Sequence, residues 1–212
     1  MNQGNNYYPV MLKLENSKCL LIGGGKVAQR KLEKLLESGA SVTIVSPDVT
    51  SGIEKLFNEG KIRWIVDTYK SCYLEGVWLV ICATDDNSVN GEVFKDATRR
   101  GIFVNVVDDP QHCTFLIPAV LKKGDLQVAV CSGGAAPVVS VKVRNKIEEM
   151  ISDDLVEAVS VLKQMRSSIK KLSSEKKRLF WKKVEEYMEN NFSSVRSPHQ
   201  LFQSFLNNVN EN

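Results

Sequence analysis

The chain has 212 residues, of which 43% are hydrophobic and 25% are charged, and its formal net charge is +3. This length suits one medium domain with a smaller one, and so weak a charge gives no indication of nucleic-acid binding. No apolar run approaches the roughly 20 residues that a membrane helix needs, and residues 1–18 lack the hydrophobic centre of a signal peptide. We therefore expect a cytoplasmic protein without a membrane partner.

Cysteine and histidine usage argues against a metal site. The chain has two histidines and five scattered cysteines, and no two cysteines form a C-x-x-C pair. This pattern predicts no bound metal and free cysteines that are buried as small hydrophobic residues in a reducing compartment. Cys113 follows His112 directly, so a reactive thiol at that position is the alternative.

Strand-like and helix-like segments alternate from the first apolar run to about residue 113. The strands are predicted at 19–22, 42–45, 62–66, 77–83 and 103–107, and the helices at 27–38, 53–58 and 89–100. Alternation of this kind predicts an α/β fold with a parallel sheet. The continuous apolar run VWLVICA at 77–83 is typical of a central strand buried on both faces.

A glycine loop separates the first predicted strand from the first helix. Its sequence, GGGKVA at 23–28, fits the dinucleotide-binding pattern G-x-G-x-x-A. Gly23 permits the tight turn, Gly25 lets a pyrophosphate approach the backbone, and Ala28 lets the helix pack closely on the sheet. The N–H groups of the helix N-terminus would then face the phosphates. A purely structural turn is the alternative.

The ribose end of this site departs from the usual pattern. The acid that commonly follows the second strand would fall near residue 46, where the sequence is Ser46-Pro47-Asp48. Asp48 is a candidate ribose ligand displaced by Pro47, or else the first residue of a turn. No arginine stands at the strand end to bind a 2′-phosphate, which favours NAD over NADP.

The pattern changes after residue 113. Residues 115–120 and 126–131, with a turn at 122–125, predict a β-hairpin. The β-branched run VVSVKV at 138–143 is also compatible with a strand, but Pro137 and the following helical face favour a helix to about residue 151. Further helices are predicted at 154–172, 175–191 and 198–209, which gives domains of 1–113, 114–150 and 151–212.

Several motifs occur in a fixed order along the chain. They are GGGKVAQRK at 23–31, ATDDNSVN at 83–90, NVVDDP at 105–110, FLIPAVLKKGDLQVAV at 115–130 and SGGAAP at 132–137. Together they closely resemble the N-terminal family of siroheme synthases, which are precorrin-2 dehydrogenases, some of them also sirohydrochlorin ferrochelatases. The resemblance runs from about residue 8 to residue 150, and more loosely to the end.

The resemblance implies a Rossmann domain, a hairpin-and-helix dimerisation segment and a C-terminal all-helical domain in a homodimer. The implied reaction is the NAD-dependent conversion of precorrin-2 to sirohydrochlorin in siroheme or cobalamin biosynthesis, in a stand-alone form without a methyltransferase domain. A bifunctional enzyme that also takes a ferrous or cobaltous ion as substrate is the alternative. A non-catalytic NAD-sensing module is a third hypothesis.

The resemblance also suggests site residues. The family aspartate falls at Asp108, which follows a predicted strand at its carboxyl end, where a carboxylate can accept a proton from the macrocycle; a turn residue is the alternative. Ser132, Gly133 and His112 are expected at the tetrapyrrole.

Four residues are expected beside the cofactor: Lys26, Val27, Thr84 and Asp85. The alternative for the last two is capping of the next helix, for which Asn87 and Ser88 are also candidates.

Three features of the C-terminal half complete the expectations. Ala136 stands where the family commonly has a serine, which removes a hydroxyl that could cap a helix. The segment 163–183 has nine basic residues and one acid, which either steers an acidic tetrapyrrole or forms a solvated helix face. Phe180 and Trp181 are expected in the core.

Overall fold

The structure is a computed structural model that describes residues 7–191 and 195–211. Its contacts divide the chain into two compact units, Met1–Ile117 and Pro118–Asn212. No helix in the described ranges is long and apolar enough to cross a membrane.

The first unit is built on a five-stranded parallel sheet with the strand order β3-β2-β1-β4-β5. The strands are β1 (Lys18–Ile22), β2 (Ser41–Val45), β3 (Arg63–Ile65), β4 (Leu79–Cys82) and β5 (Phe103–Val106). All four residues of β4 are buried, as the apolar run predicts. The predicted α/β fold with a parallel sheet is confirmed.

Helices cover both faces of this sheet. They are α1 (Lys26–Glu37), α2 (Ser51–Asn58) and α3 (Asn87–Arg99). Successive strand residues point to opposite faces, so the neighbours Leu20 and Leu21 of β1 belong to two different cores. Leu21 packs in the core that contains Leu32 of α1, and Leu20 in the core that contains Val93 of α3.

The second unit begins with an antiparallel hairpin of β6 (Ala119–Lys123) and β7 (Leu126–Val130). The hairpin itself was predicted, but its first strand begins at Ala119 rather than at residue 115. The predicted four-residue turn is also wrong, because Lys123 pairs with Leu126 and leaves only Gly124 and Asp125 between the strands. Gly124 has a φ of +56°, which a two-residue hairpin turn requires at such a position.

Four helices follow the hairpin: α4 (Pro137–Met150), α5 (Asp153–Lys171), α6 (Ser174–Asn191) and α7 (Pro198–Glu211). The β-branched run at 138–143 is helical, with Pro137 at the first helical position. Phe180 and Phe202 are fully buried in the core of α5, α6 and α7. The prediction of a buried Trp181 is wrong, since a helix turns about 100° per residue and carries Trp181 away from the core that holds Phe180.

The five free cysteines are not all buried. Cys19 and Cys82 are buried in the sheet and Cys113 is partly buried, as predicted, but Cys72 and Cys131 are exposed. Cys72 lies in a short 3₁₀ turn at the surface, and Cys131 directly follows the last residue of β7. Among the described residues, no group of three or more His, Cys, Asp or Glu side chains is placed to hold a metal ion.

Candidate active site

The glycine loop leaves β1 at the carboxyl edge of the sheet and enters α1. The N–H of Gly23 donates to the carbonyl of Val45 at 3.0 Å, and Gly23 has a φ of +107°. A Cβ on Gly23 would lie 2.3 Å from the carbonyl oxygen of Ala83, and one on Gly24 would lie 1.9 Å from that of Asp48. Neither position can take a side chain without moving backbone. The role of Gly24 is one that the pattern G-x-G-x-x-A does not indicate, because Gly24 fills a variable position of it.

The third glycine of the loop has a different environment. A Cβ on Gly25 would meet no atom of the described residues within 4 Å, and the backbone of Gly25 is ordinary extended chain. Gly25 is the N-cap of α1, no side chain caps this end, and the first turn contains no acid. The N–H groups of Lys26, Val27 and Ala28 therefore lack intrahelical acceptors and stand at the positive end of the helix dipole. This open space beside free donors fits the pyrophosphate of a dinucleotide.

The segment after β2 packs against the glycine loop. The hydroxyl of Ser46 donates to the carbonyl of Asp48 at 2.7 Å, and the indole of Trp64 donates to the carbonyl of Ser46 at 2.9 Å. These bonds fix the turn through Pro47 and bring the backbone of Asp48 against Gly24. The side chain of Asp48 is exposed.

The loop after β4 is ordered by a helix cap that was not predicted. Asp86 accepts from the N–H groups of Ser88 and Val89 at 2.8 and 3.2 Å, and so caps α3. The alternative that Thr84, Asp85, Asn87 or Ser88 is the cap is wrong, because α3 begins at Asn87, two residues before the predicted start. The Thr84 hydroxyl instead accepts from the N–H of Asp86, and the carboxylate of Asp85 is left exposed at the surface.

Asn90 connects α3 to the same loop. Its side chain is buried, and its amide nitrogen donates to the carbonyl of Thr84 at 3.0 Å. Its amide oxygen is also buried, with no hydrogen-bond partner among the described residues. Asn90 was not singled out from the sequence, although an asparagine among the apolar positions of an amphipathic helix was a usable signal.

Asp108 follows β5 at the same edge of the sheet. Its φ is +61°, a left-handed conformation that Asp and Asn tolerate better than other side chains. The side chain is exposed. Asn105 lies in β5, just before this turn, and its side chain is buried. Its amide nitrogen donates to the carbonyl of Phe115 at 3.0 Å, which ties the end of β5 to the chain at Phe115.

The next aspartate, Asp109, is hydrogen-bonded to His112. Nδ1 of His112 lies 2.6 Å from Oδ2 of Asp109, and Asp109 also accepts from the N–H of Gln111. The hydrogen bond from His112 holds the pKa of the Asp109 carboxyl below its ordinary value. The His112 ring meets the Phe94 ring edge to face, with centroids 4.9 Å apart. Because Nδ1 is engaged, Nε2 is the ring nitrogen that remains for another partner.

Lys31 of α1 lies within reach of the charge of Asp108. Burial, and then the charge of Arg30, lowers the pKa of Lys31, while the charges of Asp108 and Cys113 act in the opposite direction. Lys31 lies inside a quoted motif but was given no role from the sequence. Cys113 itself contacts Val106 through its sulfur, and burial raises the pKa of its thiol. A raised pKa argues against the reactive thiol considered above.

Two of the residues expected at the substrate lie in the second unit. The Ser132 hydroxyl accepts from the N–H of Ala136 at 3.0 Å, and the Ser140 hydroxyl lies 3.0 Å away and donates to it. Ser132 thus supplies the hydrogen bond at the start of α4 that Ala136 cannot. Gly133 and Gly134 both have positive φ and form the turn before the helix.

Comparison with known families bears on the first unit directly. An NAD(P)-binding family model matches residues 10–119, about half of the chain. The chain belongs to this NAD(P)-binding family. Residues 123–150 match a second model, the central segment of sirohaem biosynthesis proteins. The glycine loop, the turn at Asp48 and the loops after β4 and β5 all lie within the NAD(P)-binding match.

Individual relatives agree with these matches. A siroheme synthase of Actinobacillus pleuropneumoniae serotype 3 is 36% identical over 201 residues, which cover 94% of this chain and 41% of that protein. A siroheme synthase of Methylobacillus flagellatus is 40% identical over 178 residues, which cover 83% of this chain and 38% of that protein. The chain thus spans about two fifths of the length of these relatives.

A solved structure shares the whole fold. The structure described as SirC, precorrin-2 dehydrogenase, superposes with a TM-score of 0.76 at 23% sequence identity. The match covers 97% of this chain and 100% of that one. The fold of both units is therefore that of a known protein.

Proposed function

We propose that the protein is an NAD-dependent precorrin-2 dehydrogenase, which converts precorrin-2 to sirohydrochlorin. The observation that carries this proposal is that one sheet edge holds both the open glycine loop at Gly25 and the left-handed Asp108. The siroheme synthase relatives support the choice of substrate.

The reaction removes a hydride and a proton from the macrocycle. A bound nicotinamide supplies the hydride acceptor. The N–H groups of Lys26, Val27 and Ala28 bind the pyrophosphate, and the Asp108 carboxylate accepts the proton. The charge of Asp108 acts on Lys31, so Lys31 is proposed to supply a positive charge beside this carboxylate.

NAD, rather than NADP, is the proposed cofactor. Asp48 is exposed, and its turn packs against the glycine loop. Its carboxylate would therefore accept a hydrogen bond from a ribose hydroxyl and repel a 2′-phosphate. Pro47 fixes the turn, and Thr84 and Asp85 are proposed to line the cofactor from the loop after β4.

The substrate is proposed to meet the protein through its carboxylates. In the second unit, Gly133 and the start of α4 offer backbone donors, and Ser132 orders that turn. In the first unit, taken by itself, His112 offers Nε2. A ferrous or cobaltous ion is a further candidate substrate. To test it, the ion is added once NAD is consumed, and the absorbance of the tetrapyrrole is compared with that of a protein-free sample.

A homodimer is proposed through the second unit. Val139, Val143 and Met150 follow one another at spacings of four and seven residues along one side of α4, and they are 55%, 43% and 61% exposed. Val120 of the hairpin is 48% exposed. The three exposed apolar side chains of α4 form one stripe, and such a stripe marks a protein interface more often than a free surface.

The test is the reduction of NAD to NADH, or of NADP to NADPH in a parallel assay, as precorrin-2 is oxidised to sirohydrochlorin. We expect turnover with NAD and a higher KM for NADP. Asp108→Asn keeps the size of the side chain and its tolerance of positive φ but removes the base, so kcat should fall on the order of a hundredfold. Its affinity for NAD and its thermal stability should match those of the wild type.

The matched control is Asp153→Asn, an exposed aspartate in the first turn of α5. It removes the same charge outside the proposed site and should keep full turnover. Full turnover in Asp108→Asn would exclude Asp108 as the base, and no turnover in the wild type with either cofactor would exclude the dehydrogenase.

A further inference from the structure

The second unit contains a cleft of about 580 Å³ between α5 and α6. Its lining includes four cations, one aliphatic side chain and one indole: Lys163, Arg166, Lys170, Lys177, Ile169 and Trp181. Its volume lies within the roughly 300–1,000 Å³ of small-molecule sites. The two matched family segments end at residue 150, so they assign nothing to these helices.

The cations of the cleft are mostly unpaired. Lys163 forms an ion pair with Asp125 at 2.5 Å, and Asp125 is the acid that lines the cleft. Arg166, Lys170 and Lys177 form no ion pair with any acid among the described residues. Arg166 and Lys170 are one turn apart on α5, where like charges repel each other. A bound anion would relieve this repulsion.

The rest of the cleft is apolar and aromatic. Ile169 is buried at its base, and Trp181 is 46% exposed along its side. The Trp181 ring is held by an edge contact with the fully buried Phe180, with ring centroids 5.3 Å apart. A fixed, half-exposed indole offers a flat face on which a planar ring system can stack.

We propose that this cleft binds a planar aromatic molecule that carries several carboxylates. The ring system stacks on Trp181 over the apolar base, and the carboxylates pair with Arg166, Lys170 and Lys177. Only the choice of a tetrapyrrole as the probe rests on the proposed function. A nucleic-acid strand fits less well, because the chain has a net charge of only +3 and Asp125 lies in the cleft.

The probe is uroporphyrin, a stable planar macrocycle with eight carboxylates. The full chain is titrated without NAD, and the fluorescence anisotropy of the porphyrin is followed at low and at raised salt. We expect binding that weakens with salt and that becomes about tenfold weaker in the double variant Arg166→Gln/Lys170→Gln. Trp181→Leu should weaken binding at both salt concentrations.

The control is Lys171→Gln/Arg178→Gln. These two residues are exposed members of the same basic segment, do not line the cleft, and their loss changes the net charge equally. The control should bind as the wild type does. All four replaced cations are exposed or at the cleft surface, and thermal unfolding checks that each variant folds.

Two results would overturn the inference. One is uroporphyrin affinity in Arg166→Gln/Lys170→Gln within twofold of that of the control. The other is tighter binding of a short single-stranded RNA than of the porphyrin, if the same variants lose that RNA binding. Turnover of precorrin-2 is measured separately on each variant, so a chain that binds the porphyrin here but lacks turnover contradicts the proposed function alone.

Discussion

The backbone of Asp48 lies so close to Gly24 that a Cβ on Gly24 would sit 1.9 Å from its carbonyl oxygen. At the next residue, Gly25, a Cβ would have no atom of residues 7–191 or 195–211 within 4 Å. The packing of the protein thus requires glycine at 24, while no described neighbour requires it at 25. We therefore propose that Gly24 serves the folding of the loop and Gly25 serves cofactor binding.

Replacement of these glycines should separate stability from cofactor affinity. Gly24→Ala forces the turn at Asp48 to move and should lower the free energy of unfolding by about 1–3 kcal/mol. Gly25→Ala should leave stability nearly unchanged but place a methyl group where the pyrophosphate approaches, and so weaken NAD binding at least about tenfold. Chemical denaturation and calorimetric titration with NAD measure the two effects.

Gly91 provides the control for both variants. It lies inside α3 with open space around it, so Gly91→Ala should raise stability by roughly 0.5–1 kcal/mol through the better helix propensity of alanine. NAD affinity should not change. Wild-type affinity in Gly25→Ala would show that the cofactor does not approach this residue.

The exposed valines of α4 predict the state of association. Val139→Arg places a charge within the apolar side of α4, so a homodimer formed there should dissociate to monomers at micromolar concentration. Val66→Arg is the matched control, because Val66 is 68% exposed in the first unit and is not near α4 in the chain. Light scattering that gives the same mass for both variants would contradict an interface at α4.

The cysteines should differ strongly in reactivity. Burial raises the pKa of Cys19 to about 11 and that of Cys82 to about 12, against an ordinary 9.0. At neutral pH these raised pKa values reduce the thiolate fraction about a hundredfold for Cys19 and about a thousandfold for Cys82, and burial also blocks access. A short pulse of iodoacetamide on the native chain should therefore modify the exposed Cys72 and spare Cys19 and Cys82.

Peptide mapping by mass spectrometry locates the modified thiols. In denaturant, all five should react, and Cys72→Ser should remove the corresponding fast modification from the native chain. Rapid modification of Cys82 in the native protein would mean that β4 opens readily, contrary to a strand buried on both faces.

The elements of the fold could be predicted because their signals are local. The apolar run at 77–83 is typical of an internal strand and contains β4, and Pro137 sets the start of α4 even though the residues after it favour a strand. Gly23 and Ala28 likewise follow from a pattern whose physical reasons are carried by the residues themselves.

Features that depend on which side chains and backbone groups meet in the folded chain could not be predicted. Glycine at 24 is required by the carbonyl of Asp48, Asn90 is held by the carbonyl of Thr84, and the pKa of Lys31 is lowered first by burial. The exposure of Trp181 depends on the exact rotation of α6 relative to the buried Phe180. Each needs coordinates, since sequence spacing leaves these distances open.

Acid should weaken the first unit through Asp67. Hydrogen bonds from Lys70 and then Tyr73 lower the pKa of the Asp67 carboxyl from 3.8 to about 2. A carboxyl whose pKa is lower in the folded chain stabilises that chain fully above its unfolded pKa, and this contribution is lost as the pH falls through the folded value. The loss should therefore occur between pH 3.8 and about 2.

Asp67→Asn removes this titration while it keeps a side chain of the same size. The midpoint of urea unfolding should fall less steeply with pH in Asp67→Asn than in the wild type below pH about 4, and the two curves should converge near pH 2. Asp85→Asn is the control, because Asp85 is exposed and forms no ion pair among the described residues. A constant offset between wild type and Asp67→Asn at every pH would show that Asp67 acts through a hydrogen bond that does not depend on its charge.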